Sequence, residues 1–397
     1  MNPNTNPFTP GAGMEPPKLA GRDAVFDAAD IALHRTKRGK HANTQMLVGL
    51  RGVGKTTLLN RIRRLANDIG YIAEQIELRD GDHLKLVLIP VFRNILLQLK
   101  LRHPSAERVN ESMRVLRSFI SNHVITSAGV DVSLCIEPEH GFADTGDLTE
   151  DLRVLMVSIG TAARDAGTPV AILFDEMHTL GKSDLHALLR AIHLIQQIRL
   201  PFLVFGAGLP QLPNQVSDAV GAGDRNLDIH DLGSLTRPDV WAAITHPIGQ
   251  LGVTVSDEAL WAIEDFSLGF PYLLQAVAYH TWNIAQSTGI TKQDVAAAID
   301  VTLRRLDESF YFVYFERTTP VEQEYLRSLA NMPAGSQRSA DVAKGMKRTV
   351  TSLGPIRDTL IKKGLVYSPD YGFVAFTAPL FADFMKRQDT AKNLKDS

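Results

Sequence analysis

The stretch Gly49-Leu50-Arg51-Gly52-Val53-Gly54-Lys55-Thr56 lies between a short apolar run, residues 46–48, and a segment with helical periodicity. It matches the pattern of glycine, four residues, glycine, lysine and serine or threonine that is typical of a phosphate-binding loop. Glycines let the backbone wrap around phosphates, which inward N–H groups and the positive end of the next helix attract. Lys55 is predicted to contact the β- and γ-phosphates, and the Thr56 hydroxyl to bind Mg²⁺.

Two acidic residues follow another apolar run of the sequence. Asp175 and Glu176 come directly after residues 170–174, which are predicted to form a buried strand. Asp175 is predicted to hold the magnesium shell, and Glu176 to orient and deprotonate the water that attacks the nucleotide. These two residues therefore favour hydrolysis over binding alone.

ATP is the expected nucleotide. The guanine-specific pattern Asn-Lys-x-Asp does not follow a predicted strand, and the nearest similar stretch, Thr291-Lys292-Gln293-Asp294, opens a predicted helix. Thr291 and Asp294 are placed there to cap that helix. A nucleoside or metabolite kinase would share the phosphate loop, but the tandem acidic pair after a buried strand favours ATP hydrolysis.

Short apolar runs alternate with helical patterns over residues 45–205, which predicts an α/β fold with a parallel sheet and helices on both faces. Residues 101–146 are less regular and are expected to form an insertion with a helix and an extended segment at 130–136. After Gly206 the strand signal fades, and residues 236–305 predict several helices with polar first residues. The predicted strands are residues 46–48, 71–78, 170–174 and 202–205.

The composition is that of an average globular chain. Its 397 residues are 44% hydrophobic and 22% charged, which predicts two or three domains. The apolar runs are shorter than the roughly 18 residues of a membrane-spanning helix, and the single cysteine, Cys135, excludes an internal disulfide. Residues 1–17 are rich in proline, lack the features of a secretion signal and are expected to form a flexible tail. A cytoplasmic location is expected.

These motifs resemble those of the AAA+ ATPases, in particular the origin-recognition-type or archaeal-type group with a C-terminal winged helix, and the related signalling ATPases. The segment Leu19-Ala20-Gly21-Arg22-Asp23 is similar to one whose backbone lies near adenine in that group. The resemblance also implies that Arg225 is an arginine finger, which would complete a neighbour's site in a homo-oligomer; a solvated loop arginine is an equally good interpretation. The residues expected to bind the nucleotide are Gly21, Arg22, Gly49, Gly52, Val53, Gly54, Lys55, Thr56 and Thr57.

Two positions depart from the pattern of that family. Gly269-Phe270-Pro271-Tyr272 is similar to its lid segment Gly-x-Pro-Arg, but Tyr272 replaces the arginine that senses the γ-phosphate. Gly206-Ala207-Gly208 stands where relatives place a polar side chain that positions the attacking water. Because such groups stabilise the transition state, slow or partner-stimulated hydrolysis is expected.

The last part of the chain predicts a different kind of domain. Residues 349–364 form a predicted helix, and two short strands, 365–368 and 373–376, follow around a turn. Helices followed by a β-hairpin are the order of a winged helix. Residues 336–364 carry seven basic and two acidic side chains, a net charge of +5, which favours double-stranded DNA as a partner. A winged helix used only as a protein contact or a lid is the alternative.

The predicted organisation is a flexible tail at 1–17, an ATPase core at 18–235, a helical lid at 236–318 and a winged helix at 319–390. The predicted function is ATP hydrolysis, with Mg²⁺, that controls a DNA-binding winged helix. The alternative is a signalling-type ATP switch that recruits protein partners without DNA.

Overall fold

The computed structural model describes residues 1–123, 141–221 and 226–393. Its first unit is a five-stranded parallel sheet with the strand order β2-β3-β4-β1-β5. All four predicted strands are confirmed, and the α/β fold with them. The strands are β1 (Thr44–Val48), β2 (Ile72–Glu77), β3 (Val170–Asp175), β4 (Phe202–Gly208) and β5 (Leu227–Asp231).

Helices cover both faces of this sheet. Neighbouring residues of a strand point to opposite faces, so Met46 packs into one hydrophobic core and Leu47 into the other. The Leu47 face is covered by α1 (Asp23–Lys37) and α2 (Lys55–Asp68). The Met46 face is covered by α3 (Leu84–Arg102), α4 (Glu107–His123), α5 (Leu148–Asp165), α6 (Lys182–Gln197) and α7 (Leu212–Val220).

The predicted strands of this unit do not include β5. Strand β5 was not predicted, because it lies at the edge of the sheet and leaves Ile229 49% exposed, so it lacks the buried apolar run of the other strands. The predicted extended segment at 130–136, with Cys135, lies outside the described residues. In the described part of the chain, every helix is too short or too polar to cross a bilayer.

The predicted helical lid follows the sheet. Thr236, Ser256 and Thr291, the predicted polar first residues, are the N-caps of three of its helices. Thr291 and Asp294 form a capping box, as predicted. The lid consists of α8 (Arg237–Gly249), β6 (Thr254–Val255), α9 (Asp257–Ser267), α10 (Pro271–Ile284), β7 (Gly289–Ile290) and α11 (Lys292–Leu306).

A π-helical turn and the short helix α12 (Phe312–Glu316) lead to the last unit, residues 319–393, here called the C-terminal module. Its three strands form a small antiparallel sheet in the order β8-β10-β9. The lid residues Leu273 and Leu306 belong to the same hydrophobic core as the module, so the two units fold against each other. The module consists of α13 (Pro320–Ala330), β8 (Gln337–Arg338), α14 (Ser339–Gly345), α15 (Val350–Lys362), β9 (Val366–Tyr367), β10 (Phe373–Phe376) and α16 (Phe381–Asn393).

The prediction of a flexible tail at residues 1–17 is wrong for this structure. Phe8 is only 2% exposed and belongs to the hydrophobic core of the lid. The Asn6 side-chain amide donates to the carbonyl of Tyr279 at 3.0 Å. The prediction was based on composition alone. Burial of the one aromatic ring, Phe8, contributes enough free energy to hold this polar and proline-rich segment on the lid.

Candidate nucleotide-binding site

A cavity of about 460 Å³ opens at the carboxyl edge of the parallel sheet. Its floor is the phosphate loop, and Glu77, Asp175 and Glu176 line it from the ends of β2 and β3. The N-terminal segment, α10, residues 310–314 and residues 378–379 of the last part of the chain contribute to the remaining walls. A cavity of this size is within the range of small-molecule sites.

The phosphate loop has the backbone that its glycines predict. Gly52 and Gly54 have φ values of 83° and 94°, in the left-handed region that favours glycine. A Cβ atom on Gly49 would lie 2.4 Å from the carbonyl oxygen of Leu232, so this position also requires glycine. Gly54 is the N-cap of α2, and the positive end of that helix therefore faces the cavity.

Lys55 is a buried cation in the cavity floor. Its Nζ atom donates to the carbonyl oxygens of Gly49 and Leu50, both at 2.9 Å. Burial lowers the pKa of Lys55 to about 8, although the carboxylates of Glu176 and Asp175 act in the opposite direction. An ammonium group in this position is a strong electrostatic partner for an anion.

Thr56 and Asp175 meet above the loop. The Thr56 hydroxyl donates to Oδ2 of Asp175 at 2.6 Å, and Asp175 is 3% exposed. Burial raises the pKa of Asp175, against the effect of its hydrogen bond with Thr56. A hydroxyl and a carboxylate at this distance are hard oxygen donors of the kind that Mg²⁺ prefers, so the donor set fits this ion.

Glu176 has an unusual conformation beside this pair. Its φ of 56° is left-handed, which is strained for a residue with a side chain. Its Oε2 atom is buried, has no hydrogen-bond partner and lies 3.4 Å from Nδ1 of His178. The backbone N–H of Leu209 donates to the same Nδ1 atom at 3.3 Å, and burial lowers the pKa of His178 to about 3. His178 is therefore neutral and contributes no positive charge beside the Glu176 carboxylate.

Arg22 lies in the cavity wall, whereas Gly21, which was also expected to bind nucleotide, lies outside it. Arg22 lines the cavity and is 8% exposed, and its guanidinium donates to the carbonyl oxygens of Val53 at 3.1 Å and Gly233 at 2.6 Å. Arg22 thus fixes the phosphate loop to the chain that follows β5. Gly21 approaches Asp239 of α8 instead of the cavity.

The sequence analysis named three further residues near the nucleotide, which are Thr57, Tyr272 and Arg225. Thr57 lines the cavity, and its hydroxyl donates to the carbonyl of Met14 at 3.3 Å. Tyr272 also lines the cavity, and its N–H donates to the carbonyl of Gly52 at 3.1 Å, so it contacts the loop with its backbone. Arg225 lies outside the described residues.

Comparison with known protein families agrees with this geometry. Residues 18–205 match the model of a family described as AAA ATPase domain. The chain therefore contains an AAA ATPase domain. Residues 308–385 match a second family, described as a domain of unknown function (DUF8462). No curated protein matches the chain.

Solved structures resemble the whole chain at low sequence identity. The Walker-type ATPase PABY2304 of Pyrococcus abyssi is 14% identical with a TM-score of 0.54, over 93% of this chain and 96% of that one. This similarity confirms the fold and nothing beyond it. The RuvB Holliday junction branch migration motor of Thermotoga maritima is 16% identical (TM-score 0.45, 94% and 98% covered). The Aeropyrum pernix ORC1 protein in complex with DNA is 15% identical (TM-score 0.45, 96% and 95% covered).

The AAA domain contacts the C-terminal module through Arg51, a residue that the sequence analysis did not single out. The Arg51 N–H donates to the carbonyl of Thr377 at 3.0 Å. Its side chain donates to the carbonyl of Gly364 at 3.2 Å and to the Tyr314 hydroxyl at 3.2 Å. A Cβ atom on Gly364 would lie 2.3 Å from the Arg51 guanidinium, so a larger residue there would displace the Arg51 side chain. The phosphate loop itself thus carries the contact.

Part of the positive charge predicted for the module is neutralised. Lys363 pairs with Glu322 at 2.7 Å, Arg348 with Glu324 at 3.6 Å and Arg357 with its neighbour Asp358 at 3.3 Å. The remaining basic residues of 336–364 are exposed and lie on β8, near the turn between α14 and α15, and at the end of α15. They are Arg338, Lys344, Lys347 and Lys362.

Proposed function

We propose that this protein binds ATP with Mg²⁺ in the cavity of its AAA domain and hydrolyses it slowly. The observation that carries the proposal is the juxtaposition of Thr56 and Asp175, 2.6 Å apart, above a loop whose buried cation is Lys55. In this proposal the loop N–H groups and Lys55 bind the phosphates. Thr56 and Asp175 hold Mg²⁺, which neutralises charge on the β- and γ-phosphates when it is bound.

Glu176 is the proposed base of this reaction. Its carboxylate has one buried oxygen without a hydrogen-bond partner, which is available to accept a proton from a water molecule. The water oxygen attacks the γ-phosphorus, the bond to the β–γ bridging oxygen breaks, and ADP and phosphate result. Arg225 of a neighbouring copy is proposed as the arginine finger. Slow turnover is proposed because Tyr272 and residues 206–208 offer no charged group toward the transferred phosphoryl.

Nucleotide state is proposed to control the C-terminal module through Arg51. This side chain stands on the phosphate loop, so the charge of a bound triphosphate acts on it directly. On the other side, Gly364 and Tyr314 accept hydrogen bonds from the Arg51 side chain, and Thr377 accepts one from the Arg51 backbone N–H. We propose that the module is a winged helix. In this proposal its exposed basic residues bind the phosphates of duplex DNA.

A second candidate function is a signalling-type ATP switch that recruits a protein partner. The observation that favours it is the neutralisation of Lys363, Arg348 and Arg357 by acidic neighbours. An electrostatic DNA surface gains affinity from unpaired cations, whereas a protein-binding surface tolerates internal ion pairs.

The testing experiment is to measure binding and hydrolysis of Mg-ATP by the wild type and by Lys55→Ala, each with and without duplex DNA. Lys40→Ala is the matched control, since Lys40 is exposed. Loss of the buried ammonium is expected to weaken ATP binding on the order of a hundredfold. Equal ATP affinity in wild type and Lys55→Ala would refute the proposed site. ATP binding and hydrolysis that duplex DNA leaves unchanged would favour the protein-recruiting switch.

A further inference from the structure

Arg51, on the phosphate loop, is a cation whose side chain has only uncharged partners. It lines the nucleotide cavity and is half-buried. Within the described residues, its guanidinium donates to the carbonyl of Gly364 and to the hydroxyl of Tyr314, and it lies 5.3 Å from the centroid of the Tyr314 ring. Because none of these groups is negative, the charge of Arg51 stays uncompensated and attracts an anion to this side of the cavity.

The charge of Arg51 acts on two groups of the proposed reaction site. Burial lowers the pKa of Lys55 to about 8, and the positive charge of Arg51 acts in the same direction, although two carboxylates oppose it. Burial likewise lowers the pKa of His178, the neighbour of Glu176, and the charge of Arg51 again contributes. Lys55 is the proposed phosphate ligand and Glu176 the proposed base, so Arg51 is electrostatically coupled to the place where the terminal phosphate reacts.

The cavity wall beside Arg51 is aromatic. It begins at the loop, where the N–H of Tyr272 donates to the carbonyl of Gly52 at 3.1 Å. The ring centroids of Tyr272 and Phe310 are 6.0 Å apart, and those of Phe310 and Tyr314 are 5.2 Å apart. The wall ends on the guanidinium, which Tyr314 accepts. Since aromatic rings carry no charge, the cation that this wall presents to a phosphate is Arg51.

The guanidinium is held on the side of the cavity that faces α12 and the C-terminal module. The Gly364 carbonyl that accepts from it also accepts from the Thr377 hydroxyl, and the Thr377 carbonyl accepts from the Arg51 N–H at 3.0 Å. All these acceptors are neutral. Hydrogen bonds between a cation and a phosphate oxygen are roughly twice as strong as neutral ones, so a bound triphosphate competes for this side chain.

We propose that Arg51 is a catalytic residue of ATP hydrolysis, and that Tyr314 and Gly364 hold it away from the nucleotide in the resting protein. The inference rests on the proposed function. Once released, the guanidinium contacts the γ-phosphoryl oxygens, where it stabilises the charge of the transition state. The water oxygen bonds to the γ-phosphorus, its proton passes to Glu176, and the bond to the β–γ bridging oxygen breaks, with the electron pair left on ADP.

The first test removes one of the two acceptors. Tyr314→Phe deletes the hydroxyl and keeps the ring, so it is expected to raise kcat for Mg-ATP about fivefold, with KM changed less than about twofold. Arg51→Ala is expected to lower kcat on the order of tenfold. Adding Tyr314→Phe to Arg51→Ala is expected to change nothing further. Tyr371→Phe is the matched control, since Tyr371 is 98% exposed.

The second test acts on the other acceptor. The Cβ atom of Gly364→Ala would clash with the guanidinium and displace it, so kcat is expected to rise about fivefold, again only in a chain that keeps Arg51. Gly364 has a φ of 67°, so alanine also strains the backbone. Gly372→Ala is the matched control, because Gly372 has a φ of 78° and a Cβ atom there meets nothing within 4 Å. Urea unfolding checks that each variant is folded.

The outcomes separate this inference from the function on which it rests. A rise in kcat with either variant that disappears in the Arg51→Ala chain supports the inference. A rise that persists without Arg51, or no rise with either variant, overturns it and leaves the proposed function in place. A wild type that hydrolyses Mg-ATP no faster than Glu176→Gln overturns the proposed function, and the inference with it.

Discussion

The AAA domain and the C-terminal module concentrate their charged groups in different ways. In the AAA domain, Asp175 converges with Lys55 and Thr56 on one buried point, although 119 residues separate it from Thr56 in the chain. In the module, the basic residues come from one stretch of sequence but lie apart on the surface, and some are paired with acids. Convergence of buried groups therefore defines a chemical site, whereas local charge density alone does not define a partner.

The largest expected effect tests the chemistry of the AAA domain. Glu176→Gln removes the proposed base and is expected to slow ATP hydrolysis on the order of a thousandfold, with ATP affinity changed by less than about twofold. Phosphate release and nucleotide binding are the two measurements. Glu77→Gln is the control, because Glu77 lines the same cavity from the end of β2. Equal rates in the wild type and Glu176→Gln would show that another group serves as base.

The pH dependence of ATP binding tests the buried cation. The pKa of Lys55 is lowered to about 8 by burial, so the free protein loses the ammonium charge as the pH rises through that value. Since the phosphates bind the charged form, ATP affinity is expected to be constant below about pH 8 and to fall about tenfold per pH unit above it. Calorimetry between pH 6.5 and about 9.5 checks this. In Lys55→Met the profile is expected to be flat, and a flat wild-type profile would contradict the assignment.

A smaller effect is expected from the surface of the module. The double change Lys344→Glu and Lys347→Glu inverts two exposed charges and is expected to weaken duplex DNA binding on the order of tenfold, with a shallower salt dependence. Fluorescence anisotropy at two salt concentrations measures both quantities.

The control for that experiment inverts two exposed lysines elsewhere, Lys182→Glu and Lys292→Glu. If both double variants bind DNA equally well, the module does not use these cations and the protein-recruiting alternative gains support. Removal of the whole module is a poorer test, because the lid residues Leu273 and Leu306 share its hydrophobic core.

The smallest expected effect concerns the contact between the two units. Arg51→Ala removes two side-chain hydrogen bonds and the stacking over the Tyr314 ring, and is expected to lower the free energy of unfolding by about 1–2 kcal/mol. Urea unfolding measures this, with the exposed Arg38→Ala as control. A stability equal to that of the control would mean that the contact contributes nothing.

The sequence was informative wherever structure depends on neighbours in the chain. The phosphate loop, the buried strand before Asp175 and the N-cap at Thr291 are local patterns, and the structure has all three. Strand β5 escaped prediction because an exposed edge strand lacks an apolar signature. The contact of Arg51 with Gly364 escaped for a different reason, since it joins positions more than 300 residues apart and depends on how the units pack.

Nucleotide on the phosphate loop is proposed to reposition the module through Arg51, and a distance measurement tests this directly. Spin labels at the exposed positions Asp68→Cys and Tyr371→Cys, in a chain with Cys135→Ser, report the distance between α2 and the β9–β10 turn. The distance distribution is predicted to shift when Mg-ATP saturates the protein, and not to shift when Lys55→Ala or Arg51→Ala is added. An unchanged distribution in the otherwise wild-type protein at saturating Mg-ATP would contradict the claim.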